Sequence, residues 1–325
     1  MSLFGTRRGT EAASFPSEGR LPGFDGATGW LNSAPLTPAE LRGKAVLVDF
    51  WTYTCINWLR TLGYVRAWAK KYESHGLVTI GVHTPEFAFE RDVDNVREAV
   101  AEMNVRYPVA LDPNYAVWQA FANNAWPAVY IADAEGQIRY HHLGEGAYEE
   151  CERVIQQLLT DAGHAEVGDE LVSVSLEGFE VQADWENLGS SETYLGSEQA
   201  RNFARGVPAS GLNLNQWTLS GDWAVEPRAS VLEGSEGAIA FRFHARDVNL
   251  VMGPPRKGAS VPFHVLVDGE PPGDGHGFDV DEQGHGTVTQ QRLHQLVREP
   301  GSIADRTFEI TFHEPGVEGY CFTFG

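Results

Sequence analysis

The chain has 325 residues, 42% hydrophobic and 21% charged, the make-up of an ordinary globular protein with room for about two domains. Its net charge of −21 repels nucleic acid and anionic membranes, and no run of about 18 apolar residues exists to span a bilayer. The acidity is uneven, with 14 Lys/Arg against 20 Asp/Glu up to Ala165 and 10 against 25 beyond it.

Solubility accounts for that charge; cation binding or adaptation to salt is the sharper alternative. The three cysteines, Cys55, Cys151 and Cys321, lie far apart and make no disulfide scaffold. No Cys/His spacing points to zinc, so neither a metal nor a cofactor is expected.

In chain order, residues 1–20 are polar and read as disordered, without the apolar core of a secretory signal. The sequence as it stands is therefore expected to be cytoplasmic, and extracytoplasmic if the native N-terminus is missing. Residues 21–36 read as a short strand or hairpin. Thr37, Pro38 and Glu40 form a capped helical turn. An apolar run, 45–51, then reads as a buried strand.

The chain turns over at 52–54, and Ile56, Leu59, Leu62 and Val65 recur at helical spacing. A helix is expected through Tyr72, with Cys55 where the core strand hands over to it. Thr52 or Thr54 can cap that helix, and its N-terminus favours a thiolate at Cys55. A second buried strand, 76–83, leads to a loop containing Glu86. An amphipathic helix over 91–103, a short strand over 107–111 and a short helix over 115–121 follow. A strand over 128–133, a hairpin turn at 134–137, a return strand over 138–143 and a helix over 148–159 close an α/β unit.

Small and polar residues mark 164–170 as a linker. Beyond it helical periodicity fades. Strands are expected at 171–175, 191–195, 216–220, 238–244, 249–252, 263–268, 286–291, 307–312 and 320–324. Short strands punctuated by Gly and Pro predict an all-β sandwich or jelly roll over 171–325.

The motifs Arg42-Gly43-Lys44, Val48-Asp49-Phe50-Trp51, Cys55, Gly81-Val82-His83-Thr84-Pro85-Glu86-Phe87 and Trp126-Pro127 carry a resemblance. On them, residues 21–163 resemble the thioredoxin-like superfamily, in its TlpA/redoxin branch. Phe50 to Asn57 and Thr193 to Glu198 extend it. Over roughly 22–325 the chain resembles the soluble C-terminal region of DipZ-type thiol–disulfide and cytochrome-biogenesis proteins. There a thioredoxin-like domain precedes a jelly roll like a carbohydrate-binding module. The resemblance makes Cys55 the nucleophile, Pro127 the cis-proline facing it, and Trp126 the residue whose backbone pairs with a bound peptide. It gives Glu86 a place near the active site. Its partners would be protein or small-molecule thiols and disulfides.

One departure decides the chemistry. The fourth position after Cys55 is Trp58, so Cys55-Ile56-Asn57-Trp58 cannot close an internal disulfide. Cys55 reads either as a low-pKa nucleophile or as a small buried hydrophobe. Trp58 either fills the volume of the lost thiol or stacks on a ligand. Glu86 either relays a proton for Cys55 or is a solvated loop carboxylate, and Asn57 caps or orients the turn. Cys151 is not expected to reach Cys55, and Cys321 reads as core. In the second domain Trp217 and Trp223 are either a sugar-stacking platform for a glycan or core aromatics. Three functions follow: a thiol–disulfide oxidoreductase with a single active cysteine joined to a binding module, a non-catalytic interaction protein, or a one-cysteine peroxidase.

Overall fold

The computed structural model describes residues 15–164 and 167–325. Residues 1–14 of the expected disordered segment, and 165–166 of the expected linker, lie outside the described residues. Two compact units emerge. One comprises residues up to Trp51, Tyr64–Thr84 and Arg106–Ser173; the other comprises Thr52–Gly63, Pro85–Val105 and Val174–Gly325.

The first unit is built on a seven-stranded mixed sheet. Its strands are β1 (Gly19–Arg20), β2 (Gly29–Leu31) and β3 (Ala45–Trp51), which leads into helix α1 (Ile56–Tyr72). Next come β4 (Leu77–His83), α2 (Val93–Glu102), β5 (Val109–Leu111), α3 (Ala116–Ala120), β6 (Ala128–Ala132), β7 (Gln137–Leu143) and α4 (Tyr148–Asp161). The strand order is β1-β7-β6-β3-β4-β5-β2, with β3, β4 and β5 parallel and the other pairings antiparallel. Every residue of β3 is buried, as its unbroken apolar run requires of a central strand covered on both faces. The β6–β7 hairpin turns on Asp133, whose carboxylate accepts from Glu135 N (3.0 Å) and Gln137 N (2.8 Å), with Gly136 at φ 75°.

Two expectations for this region are corrected. Gly19 and Arg20 are not disordered; they pair with Ile138 and Gln137 as an edge strand. Residues 171–175 form no strand. Instead Val172 N donates to the buried Glu152 carboxylate at 2.9 Å, which also accepts from Trp68 Nε1 (3.1 Å) and the Tyr72 hydroxyl (2.6 Å). The expected linker is held to α4 as well: the Asp169 carbonyl accepts from Arg153 and the Glu170 carbonyl from Gln156.

The strand-rich region of the second unit contains β8 (Thr193–Tyr194), β9 (Trp217–Val225), β10 (Ser230–His244) and β11 (Asp247–Gly253). It continues through β12 (Val261–Val267), β13 (His285–Val288), β14 (Arg292–Arg298), β15 (Asp305–Phe312) and β16 (Glu318–Phe324). The order is β13-β12-β15-β10-β16-β11-β14, with β9 beside β10 and β8 beside β16. Strand β10 turns the corner. Its first residues pair with β16 and its second half, from Gly237, with β15; the register with β9 slips between Leu232 and Gly237. A Cβ on Gly237 would meet Leu232 Cδ1 at 2.5 Å and Trp223 Nε1 at 2.6 Å, so only glycine fits that bend. The sheet thereby curls around one apolar core that includes Phe241, Phe263, Phe308, Phe312 and Phe322. Strand β14 was not expected; the other strands lie at or beside the expected positions. Among the described residues no helix is long and apolar enough to cross a membrane.

Candidate active site

Cys55 sits one residue before α1, where Cys55 N donates to the Thr52 carbonyl (3.3 Å) and the Cys55 carbonyl accepts from Leu59 N (3.0 Å). The second bond is the first of the helix. Backbone N–H groups of Trp58 and Asn57 reach the sulfur and favour its charged form, as a helix N-terminus should. They are outweighed. Burial, then the charge of Glu86, push the Cys55 thiol well above the usual cysteine range, although part of the residue touches solvent. The pull of the helix N-terminus toward a thiolate is thus opposed by burial and by the charge of Glu86.

Glu90 fixes the Cys55 turn relative to that loop. Its carboxylate is 1% exposed. One oxygen accepts from the Thr54 hydroxyl (2.7 Å) and Thr54 N (3.3 Å); the other accepts from Glu86 N (2.6 Å) and Phe87 N (2.8 Å). Two stretches of backbone far apart in sequence are thus tied to one side chain. Burial raises the Glu90 carboxyl and these hydrogen bonds pull it back, leaving it raised.

Glu86 is partly exposed, and its Oε1 accepts from the Tyr194 hydroxyl. The same hydroxyl lies 3.2 Å from Glu192 Oε2. Burial and the charges of Glu192 and Glu90 push Glu86 up to about 8, against the pull of the Tyr194 bond. An open cleft of about 380 Å³, lined in part by Glu192, Tyr194, Glu198 and Arg201, adjoins this pair.

The remaining candidates divide. Asn57 is partly exposed and its carbonyl accepts from the Thr61 hydroxyl at 3.0 Å, within the first turn of α1. Trp58 is 0% exposed, so it fills the interior and offers no face to a ligand. The Trp126–Pro127 bond is cis, and Trp126 packs on Trp118 at 4.4 Å; both residues belong to the first unit. Trp217 is corrected. It is fully buried, stacks on Phe203 at 4.2 Å and donates to the Arg201 carbonyl, so it has no free surface for a sugar. Trp223 is partly exposed and set against Phe312, its Nε1 donating to the Ser220 carbonyl. Among the described residues no cluster of His, Cys, Asp or Glu could hold a metal ion.

Sequence reading missed Glu90, Glu192 and the role of Tyr194. Tyr194 lies within the Thr193–Glu198 motif that carried the resemblance, which was its one signal. Glu90 gave none, because a Glu beside an amphipathic helix reads as solvated.

Comparison with known proteins matches these two regions. The Redoxin family model covers residues 18–158, and the model described as a thioredoxin-like C-terminal domain covers 190–325. Protein DipZ of Mycobacterium bovis is 34% identical over 328 residues, 97% of this chain and 44% of DipZ. The chain thus spans about half the length of that relative. The thiol-disulfide oxidoreductase YkuV of Bacillus subtilis is 26% identical over 43% of this chain and 95% of its own length. A solution structure of a thioredoxin-like protein in its oxidized form is 28% identical, covering 44% of this chain and 96% of its own, with a TM-score of 0.41. A redoxin domain followed by the thioredoxin-like C-terminal domain, with DipZ matched across nearly the whole chain, makes this a thioredoxin-like protein of the TlpA/DipZ-like group.

Proposed function

We propose that the chain performs thiol–disulfide exchange from a single attacking cysteine, Cys55, with Glu86 as its proton acceptor. The observation that carries this is the buried Glu90 carboxylate, which ties Thr54, the residue before Cys55, to the backbone of Glu86 and Phe87, while burial pushes the Glu86 carboxyl up to about 8. A base that titrates near neutrality is suited to take a proton at physiological pH. Loss of the thiol proton to Glu86 creates the thiolate and removes the charge that opposes it. The thiolate attacks a disulfide and a mixed disulfide forms at Cys55. Tyr194 holds the Glu86 carboxyl in place, and Glu90 holds the Cys55 turn against the Glu86 loop.

The cis Trp126–Pro127 segment fits the peptide-supporting role that the resemblance implies, and Asn57 orients the turn. YkuV carries thiol–disulfide oxidoreductase activity in its name, which supports the same class of substrate here. We read the chain as a thioredoxin fold over 21–163 and a β-sandwich over 171–325 that presents the partner.

The test is the rate at which glutathione disulfide modifies Cys55 against pH, in a Cys151→Ser background. The rate should rise through the titration of Glu86 near pH 8. Glu86→Gln should abolish that rise and slow modification at neutral pH by about 100-fold. A folded protein whose Cys55 never reacts would overturn the reading in favour of a non-catalytic interaction protein.

A further inference from the structure

Strand β16 has two faces in different company. Phe322 and Phe324 belong to the sandwich core; Cys321 and Thr323 alternate with them and so point away from it. The outward residues are nonetheless buried, Cys321 at 1% and Thr323 at 4% exposure. Their partners on β11, Val251 and Asn249, share that face and are equally covered.

The cover comes from within the same compact unit. The ring of Tyr320 lies 5.3 Å from Phe87 and 5.0 Å from Phe89. Arg60 Nη2 donates to the Phe324 carbonyl at 3.2 Å. Tyr194, which pairs with Cys321 across β8 and β16, donates to Glu86. Residues flanking Cys321 on either side therefore touch the Glu86 loop and the first turns of α1.

The charge of Cys55 is among those that reach Cys321. Burial pushes the Cys321 thiol well up, and the charges of Glu192, Glu86 and Cys55 add to it. On the same covered face Thr323 Oγ1 and Asn249 Oδ1 lack hydrogen-bond partners, so that face is not purely apolar.

We propose that Cys321 is the resolving thiol for Cys55, supplying from the last strand what Trp58 cannot. The proposal rests on Cys55 being the attacking thiol. Cys55 thiolate attacks a substrate disulfide R–S–S–R′; its sulfur bonds to one substrate sulfur, and the other leaves as a thiolate and is protonated. Cys321 thiolate then attacks the Cys55 sulfur. The second substrate thiol leaves, and a Cys55–Cys321 disulfide remains. Two electrons pass from the protein dithiol to the substrate disulfide, and the two thiol protons end on the two product thiols. Glu86, within electrostatic reach of both sulfurs, carries each proton in turn. An external dithiol returns the pair to its reduced state by the reverse exchange.

The experiment treats the full chain, carrying Cys151→Ser, with glutathione disulfide. Two glutathione molecules should be released per protein, and a non-reducing peptide map should show Cys55 joined to Cys321. With Cys321→Ser the reaction should stop at one glutathione, and the Cys55 adduct should outlive its counterpart by about 100-fold, the loss expected when an intramolecular partner is removed. Should Cys321→Ser fail to fold, Cys321→Ala replaces it, and the peptide map of the parent needs neither. A stable glutathione adduct at Cys55 while Cys321 is still a thiol would overturn the proposal and leave the attacking role of Cys55 intact. No adduct at all in the folded chain would overturn both.

Discussion

Replacing Glu86 with glutamine should make the protein more stable, and more so as pH rises. Glu86 carries a carboxyl raised from 4.5 to about 8 by burial and by the charges of Glu192 and Glu90. Below pH 4.5 folded and unfolded chains are both protonated there, and Glu86 contributes its full stability. Between those values the unfolded chain ionises while the folded one resists, so that contribution is lost progressively up to about pH 8 and stays lost above it. At about 1.4 kcal/mol per pH unit the interval amounts to ~5 kcal/mol as an upper bound. Residual solvent contact at Glu86 brings the recoverable part to ~2–4 kcal/mol. Glutamine is neutral throughout and can still accept from Tyr194. Guanidinium unfolding of both proteins from about pH 4 to about pH 9 should show no difference at the acid end, a widening gap between, and a plateau above about pH 8. A difference that is the same at every pH, or largest in acid, would refute the reasoning.

Two further outcomes test the architecture around Cys55. Glu90→Gln, which replaces one acceptor oxygen by a donor facing N–H groups, should cost ~2–3 kcal/mol in urea unfolding. It should also speed Cys55 alkylation by loosening the turn that Thr54 anchors. Trp58→Ala should cost ~3–5 kcal/mol, the loss of a fully buried indole, read as a lower urea midpoint. A change below about 1 kcal/mol would mean that Trp58 stands at the surface.

The central strands were legible because β3 and β4 are apolar without interruption, and a strand buried on both faces needs nothing else. The position of Cys55 followed from the change of period after Trp51. The corner in β10 was not legible. Gly234, Glu236 and Gly237 look like a turn, so only 238–244 was read as strand, although the bend is continuous strand. Trp217 stays open between platform and core in the sequence for a related reason: aromatic residues on a sandwich strand report the core only once it is known which face is inside. The site was half legible. Cys55 and Glu86 could be found from local pattern and resemblance. Glu90 and Glu192 could not, because their significance lies in pairings across the unit that leave no mark on neighbouring residues.

The division of the chain into units has a consequence for how the protein is made. The second unit draws on Thr52–Gly63, Pro85–Val105 and everything from Val174 onward. A ribosome delivers the Cys55 turn and the Glu86 loop long before it delivers Tyr194, Tyr320 and Phe324. The Cys55 turn therefore completes its packing only when β16 emerges, a late closure of contacts widely separated in sequence. Until β16 emerges, the nascent chain carries a thiol whose surroundings are unfinished.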